Sequence, residues 1–128
     1  FPYKWGIIAE PGNWEYSGPS SASEPETQAT IEFVKYLRPD MTVWFHQDEF
    51  SIAPSTGSDG PLRREYARLT GLPLKGVPGG TYTGVAATWQ RKTFVDDTAF
   101  IVELGPTMAE GEALTHARAI LSVVSLLR

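Results

Sequence analysis

Apolar positions along the chain change period several times, and each change marks an element. Ala29, Phe33, Val34 and Leu37 recur at helical spacing after Ser23-Glu24-Pro25-Glu26. That string reads as a helix start: Ser23 as cap, Glu26 completing a capping box, Pro25 in the first turn. Arg38-Pro39-Asp40 ends the helix. Met41 to His46 then reads as a strand, with Met41, Val43 and Phe45 on one face and Thr42, Trp44 and His46 on the other. Both faces are largely apolar, as in a central strand covered on both sides. Residues 53–61 form a polar loop, Pro61 to Leu72 a helix, and Thr83 to Arg91 a short helix. Thr98 to Leu104 is a second buried strand. A last helix opens with Thr107 and Glu110 as a second capping box. Its apolar stripe comprises Ala113, Leu114, Ala117, Ile120, Leu121, Val124 and Leu127, which leaves His116 exposed on its flank. Helices alternating with strands predict an α/β fold whose sheet is covered by helices.

The first 22 residues are rich in Gly, Pro and Ser, yet Phe1, Tyr3, Trp5, Trp14 and Tyr16 are interleaved among them. A loop so rich in rings is expected to pack onto a larger body, unlike the usual frayed terminus. The chain opens at Phe1, with neither an initiator Met nor a signal peptide, so an upstream portion is expected to have been removed.

The chain has 128 residues, a length that corresponds to a single domain, 1–128. A net charge of −4 with scattered Lys and Arg argues against a nucleic-acid partner. No apolar run approaches ~18 residues, so neither a membrane span nor a membrane partner is expected. Cysteine is absent, which excludes disulfides, Cys-based zinc sites and Cys nucleophiles. Pro78-Gly79-Gly80-Thr81 lacks the Lys and spacing of a phosphate-binding loop, and no Gly-x-Ser-x-Gly occurs. Asp96-Asp97 reads as a turn before a strand.

Two ionisable residues terminate the two apolar strands: His46 and Glu103. Ligands of open α/β sheets bind beyond the carboxyl ends of the strands. If the two strands are parallel neighbours, His46 and Glu103 open into one crevice. The histidine could be a metal ligand, a base or a polar strand end. A glutamate at the mouth of an apolar strand is partly desolvated, which raises its pKa as a general base requires. Otherwise it is a solvated boundary residue. Asp48 and Glu49 beside His46 could orient it, or simply carry solvated charge.

These residues sit in a wider pattern. Tyr16-Ser17-Gly18-Pro19, Ser23-Glu24-Pro25-Glu26-Thr27, a helix, and then Val43-Trp44-Phe45-His46-Gln47 together resemble the zinc metallocarboxypeptidases. The likeness is to the bacterial branch that includes murein peptide amidases. Gly79-Gly80-Thr81, and Phe100-Ile101-Val102-Glu103-Leu104 placed 57 residues after His46, agree with that pattern. The resemblance runs across nearly the whole chain. It implies a three-layer α/β/α fold with a mixed, mostly parallel sheet, of which only the C-terminal part is present. It also implies one Zn²⁺, with His46 as the third ligand. Glu103 would be the general base that takes a proton from the zinc-activated water and delivers it to the leaving amine. Tyr82 would line the pocket for a substrate side chain or pack beneath its loop, and Trp89 would belong to the core.

The family takes its first two ligands from a His-x-x-Glu motif, which this sequence lacks. Its substrate-gripping Asn-Arg pair is followed closely by Asn-Phe-Pro, and this chain begins Phe1-Pro2. The missing N-terminal half of the catalytic domain is therefore an expected partner, along with a peptide or murein-peptide substrate. The family's substrate-clamping Tyr would fall near Lys75. The chain alone is expected to bind zinc poorly and to be inactive. Export or association with the cell wall is the favoured location. The rival reading is a non-catalytic peptide-binding module with the same fold.

Overall fold

In a computed structural model, which describes residues 1–127, the elements follow one another as α1 (Pro25–Leu37), β1 (Met41–Gln47), β2 (Ser51–Ile52), α2 (Gly60–Thr70), α3 (Ala86–Thr93), β3 (Thr98–Leu104) and α4 (Glu112–Val124). The three strands form one mixed sheet in the order β1-β3-β2. β2 and β3 are antiparallel, with Ser51 opposite Glu103 and Ile52 opposite Val102. β1 and β3 run the same way. The Thr98 amide donates to the Asp40 carbonyl where both strands begin, and His46 meets Glu103 where both end. No helix among the described residues is long and apolar enough to cross a membrane.

The residues gather into two compact units, and β1 and β3 pass from one into the other. The first comprises Phe1–Thr42 and Gly79–Ala99. Its core is Ile31 and Val34 of α1 with Trp89 of α3. Phe1, Tyr3, Ala22 and Phe94 pack against that cluster, and the Phe1 and Trp89 ring centroids are 5.2 Å apart. The ring-rich loop thus has its larger body in α1 and α3. Trp14 is the exception, 90% exposed. Buried Gln90 of α3 donates to the Thr42 hydroxyl at 2.8 Å, and the Arg91 guanidinium donates to the Ala99 carbonyl.

The second unit comprises Val43–Pro78 and the chain from Phe100 onward. Here α2 packs against α4. Ile52, Leu62, Tyr66, Phe100, Val102 and Val123 are all buried. Tyr66 and Phe100 meet edge to face at 5.7 Å, a geometry that suits the ring quadrupoles. Arg63 is buried as well. It pairs with Asp59 at 2.5 Å and donates to the Ala53 carbonyl at 3.1 Å, so its charge has partners.

The structure corrects the sequence reading at several places. α1 buries Ile31 and Val34 and leaves Phe33 and Leu37 exposed. Its capping box does not form: the N-cap is Glu24, with no side-chain cap. The Ser23 hydroxyl donates instead to the adjacent Glu24 carboxylate, 2.9 Å away. β1 lies at an edge of the sheet, not at its centre. The last helix begins at Glu112, after Gly111 in the left-handed region at φ 79°, so Thr107 and Glu110 fall outside it. Its buried face is His116, Ala119 and Val123. Of the expected stripe, Ala113, Leu114, Ala117, Leu121 and Val124 point outward and Ile120 and Leu127 are half-buried, and His116 is buried rather than exposed.

Candidate functional site

Strand geometry brings two candidate residues together. β1 presents His46 one residue before its end, and β3 presents Glu103 one residue before its own. Because the strands run the same way, both side chains emerge at one end of the sheet. His46 Nδ1 stands 3.6 Å from Glu103 Oε1. This is ion-pair range, and longer than a hydrogen bond. The His46 side chain is 51% exposed and that of Glu103 only 24%. The more hidden group is therefore the carboxylate, and the more open one is the imidazole.

Local contacts hold this end of the sheet. The Gln47 side-chain amide donates to the Gly105 carbonyl at 3.0 Å, tying the end of β1 to the residue just after β3. The Phe50 amide donates to the Leu104 carbonyl at 3.3 Å as the chain turns back toward β2. Ser51, opposite Glu103 on β2, is buried. Gln47 and Ser51 carry no signal in sequence, because their roles depend on β3, which lies far along the chain at Thr98–Leu104.

The electrostatics favour a basic carboxylate. Burial pushes the Glu103 carboxyl above its ordinary value. His46 opposes that rise, and the negative charges of Glu49 and Asp48 reinforce it. Asp48 and Glu49 thus act on Glu103 through their charge. A carboxylate with a raised pKa holds a proton more readily near neutral pH, which is the property of a general base.

Among the described residues no group of three His, Cys, Asp or Glu side chains could hold a metal ion. His46 offers one imidazole nitrogen of the kind zinc takes, and Glu103 one carboxylate. These fit part of a zinc site, and a complete one needs donors from elsewhere. Tyr82 belongs to the first unit, on the loop before α3, and is 55% exposed. Its ring lies 3.5 Å from where a side chain on Gly80 would begin. Trp89 is core, as expected.

Sequence reasoning overlooked a second polar pair. Tyr66 Oη lies 2.7 Å from His116 Nδ1, with both residues buried. His116 Nε2 faces Glu112 Oε1 at 3.6 Å. Burial holds the Tyr66 hydroxyl far above its ordinary pKa, so it stays protonated and shares a hydrogen bond with His116 Nδ1. The spacing of Glu112, His116, Ala119 and Val123 marks this face of α4 at helical period, and that was the available signal.

No family model matches the chain, and no curated protein sequence does. Among solved structures, the chain is similar to the murein-tripeptide amidase MpaA from Escherichia coli O157, with a TM-score of 0.63 and 23% identity. The match covers 100% of this chain and 56% of the amidase, so the chain spans little more than half the length of that relative. Over its full length, then, the chain has a mixed α/β fold like that of part of a murein-tripeptide amidase.

Proposed function

We propose that this chain is the C-terminal part of the catalytic domain of a zinc metallocarboxypeptidase-type hydrolase. The whole enzyme cleaves a C-terminal amide bond in a peptide, with a murein peptide as the favoured substrate. One observation carries the reading: His46 and Glu103, 57 residues apart in sequence, stand 3.6 Å apart at the adjoining ends of parallel strands. Similarity to a murein-tripeptide amidase supports the substrate class.

In this reading His46 supplies one zinc ligand, and further polypeptide supplies the others. Bound zinc would polarise the scissile carbonyl and make water acidic enough to attack near neutral pH. Glu103 takes the proton from the attacking water and returns it to the leaving nitrogen. Its raised pKa suits both transfers. Without the remaining ligands the chain is inactive.

A rival reading is a peptide-binding module of the same fold without metal. Zinc content separates the two. The complete enzyme should copurify with zinc, and His46→Ala should lower its metal load about tenfold or more. An unchanged load in His46→Ala would refute the ligand role. A zinc-free enzyme that still binds peptide would establish the module.

A further inference from the structure

An ammonium shares the sheet end that carries His46 and Glu103. The segment after α2 returns to the side of β2 that faces away from β3. There Ile52 bridges Leu74 in parallel. The Ile52 amide donates to the Pro73 carbonyl at 3.1 Å, and the Lys75 amide donates to the Ile52 carbonyl at 3.1 Å. Ile52 is fully buried and pairs on its other side with Val102. The backbone of Lys75 is therefore pinned to a strand that itself pairs with β3. The Lys75 side chain reaches back to the turn between β1 and β2, where Nζ donates to the Glu49 carbonyl at 3.4 Å. That turn leads directly into Ser51, the residue opposite Glu103.

The partner of this ammonium is of an unexpected kind. Asp48, Glu49 and Glu103 lie on the same rim, close enough for the first two to act on the third through their charge. Yet the Lys75 side chain pairs with none of these carboxylates, and its polar contact among the described residues is a backbone carbonyl. At 3.4 Å that bond is longer than the usual N–H···O range and therefore loose. Lys35 shows the contrast, closed on Glu32 at 2.9 Å. An ammonium has three donors and no acceptor, so one loose carbonyl leaves both charge and donors for a ligand. A carboxylate is the acceptor that best uses them. Lysine also sits on a flexible four-carbon stem, so it can leave a weak acceptor for a better one. The acids around it repel an anionic peptide, and a cation on the same rim decides whether such a peptide is accepted.

We infer that Lys75 is the residue through which this site selects acidic peptides, its ammonium exchanging the Glu49 carbonyl for a carboxylate of the bound peptide. The inference deepens the proposed function and rests on it for the peptide, though not for the metal chemistry. An acidic side chain and the peptide's own terminus offer the same group, and the choice of probes separates them.

Calorimetric binding to the complete protein carrying Glu103→Gln tests this without requiring turnover. The probes are the tripeptides Ala-Glu-Ala, Ala-Gln-Ala and the C-terminal amide of Ala-Gln-Ala. The first two differ by a side-chain carboxylate and the last two by the terminal one. At least one of these carboxylates should tighten binding about tenfold or more, the scale of a hydrogen bond to a charged group. Lys75→Met should abolish that preference, and Lys75→Arg should keep most of it. The preference that disappears identifies the carboxylate. Absence of both preferences while Lys75 is intact would overturn the inference, and so would a preference that survives Lys75→Met. Equal weakening of all three probes by Lys75→Met would reduce Lys75 to a support of the Glu49 turn and overturn it too. Hydrolysis by the protein with Glu103 intact reports separately on the chemistry. Lys75-dependent binding of the acidic peptide without hydrolysis would uphold Lys75 and refute the peptidase reading. Hydrolysis indifferent to both carboxylates would do the reverse.

Discussion

Replacing Tyr66 by Phe deletes a single oxygen atom from the core of the second unit. Tyr66 is fully buried and His116 is 5% exposed, so water cannot take the place of the lost hydroxyl. The substitution orphans His116 Nδ1, which is hydrogen-bonded to the Tyr66 hydroxyl at 2.7 Å in the native protein. The ring remains, and so does its edge-to-face contact with Phe100 at 5.7 Å. The cost is therefore the hydrogen bond plus the desolvation of a buried ring nitrogen, about 1–3 kcal/mol. For a chain of this length each kcal/mol moves Tm by about 4 °C, so Tm should fall by about 4–12 °C. Urea unfolding followed by far-UV circular dichroism measures the loss. A cycle with His116→Leu isolates the pair, and a coupling of at least about 0.5 kcal/mol is expected between partners in direct contact. A Tyr66→Phe protein within about 0.5 kcal/mol of wild type, the range of ordinary surface changes, would refute the buried bond.

Two other expectations follow from burial and electrostatics. Trp89, 4% exposed against Phe1 and Phe94, should cost about 3–5 kcal/mol as Trp89→Ala. Trp14→Ala, at a position 90% exposed, should stay within about 0.5 kcal/mol. Equal costs in the same urea titration would contradict the burial pattern. In the proposed role Glu103 would work as a base when deprotonated, so activity should fall as pH drops through its pKa in the folded enzyme. Burial raises that pKa, so the acid limb of kcat/KM should lie above the ordinary carboxylate value, and a limb at that value would contradict the desolvated site. Sign and stability agree. A carboxyl with a raised folded pKa weakens the fold as pH climbs from its ordinary value through the raised one, so Glu103→Gln should not be destabilising at neutral pH.

The sequence announces some of this architecture and conceals the rest. Pro25, the apolar residues behind it and Arg38-Pro39 mark α1, but not which side it buries. Phe33 and Leu37 are as apolar as Ile31 and Val34, and only tertiary packing chooses between them. α4 shows the ambiguity more sharply. It is apolar on two faces, and the stripe with more leucine is the one left exposed, while the buried face contains a histidine whose polarity is satisfied by Tyr66. The cap at Ser23 fails because the helix takes Glu24 as its N-cap, which leaves Ser23 one residue outside the capping position. β2 has two residues, too few to carry a period. His46 and Glu103 were legible as strand ends, because each closes an apolar run. Their meeting was legible only through the family resemblance, since it needs β1 beside β3, a pairing no local pattern encodes. Gln47, which bonds to Gly105 and helps join those strand ends, gave no signal for the same reason.

The central claim is that Glu103 is the base of a metal-assisted hydrolysis, and Glu103→Gln in the complete enzyme tests it most directly. Zinc content and murein-peptide hydrolysis should be measured on the same preparation as wild type. The account predicts unchanged zinc and a fall in kcat of about 10²–10⁴, the scale of a general base. Hydrolysis at the wild-type rate by a zinc-loaded, folded Glu103→Gln enzyme would contradict it.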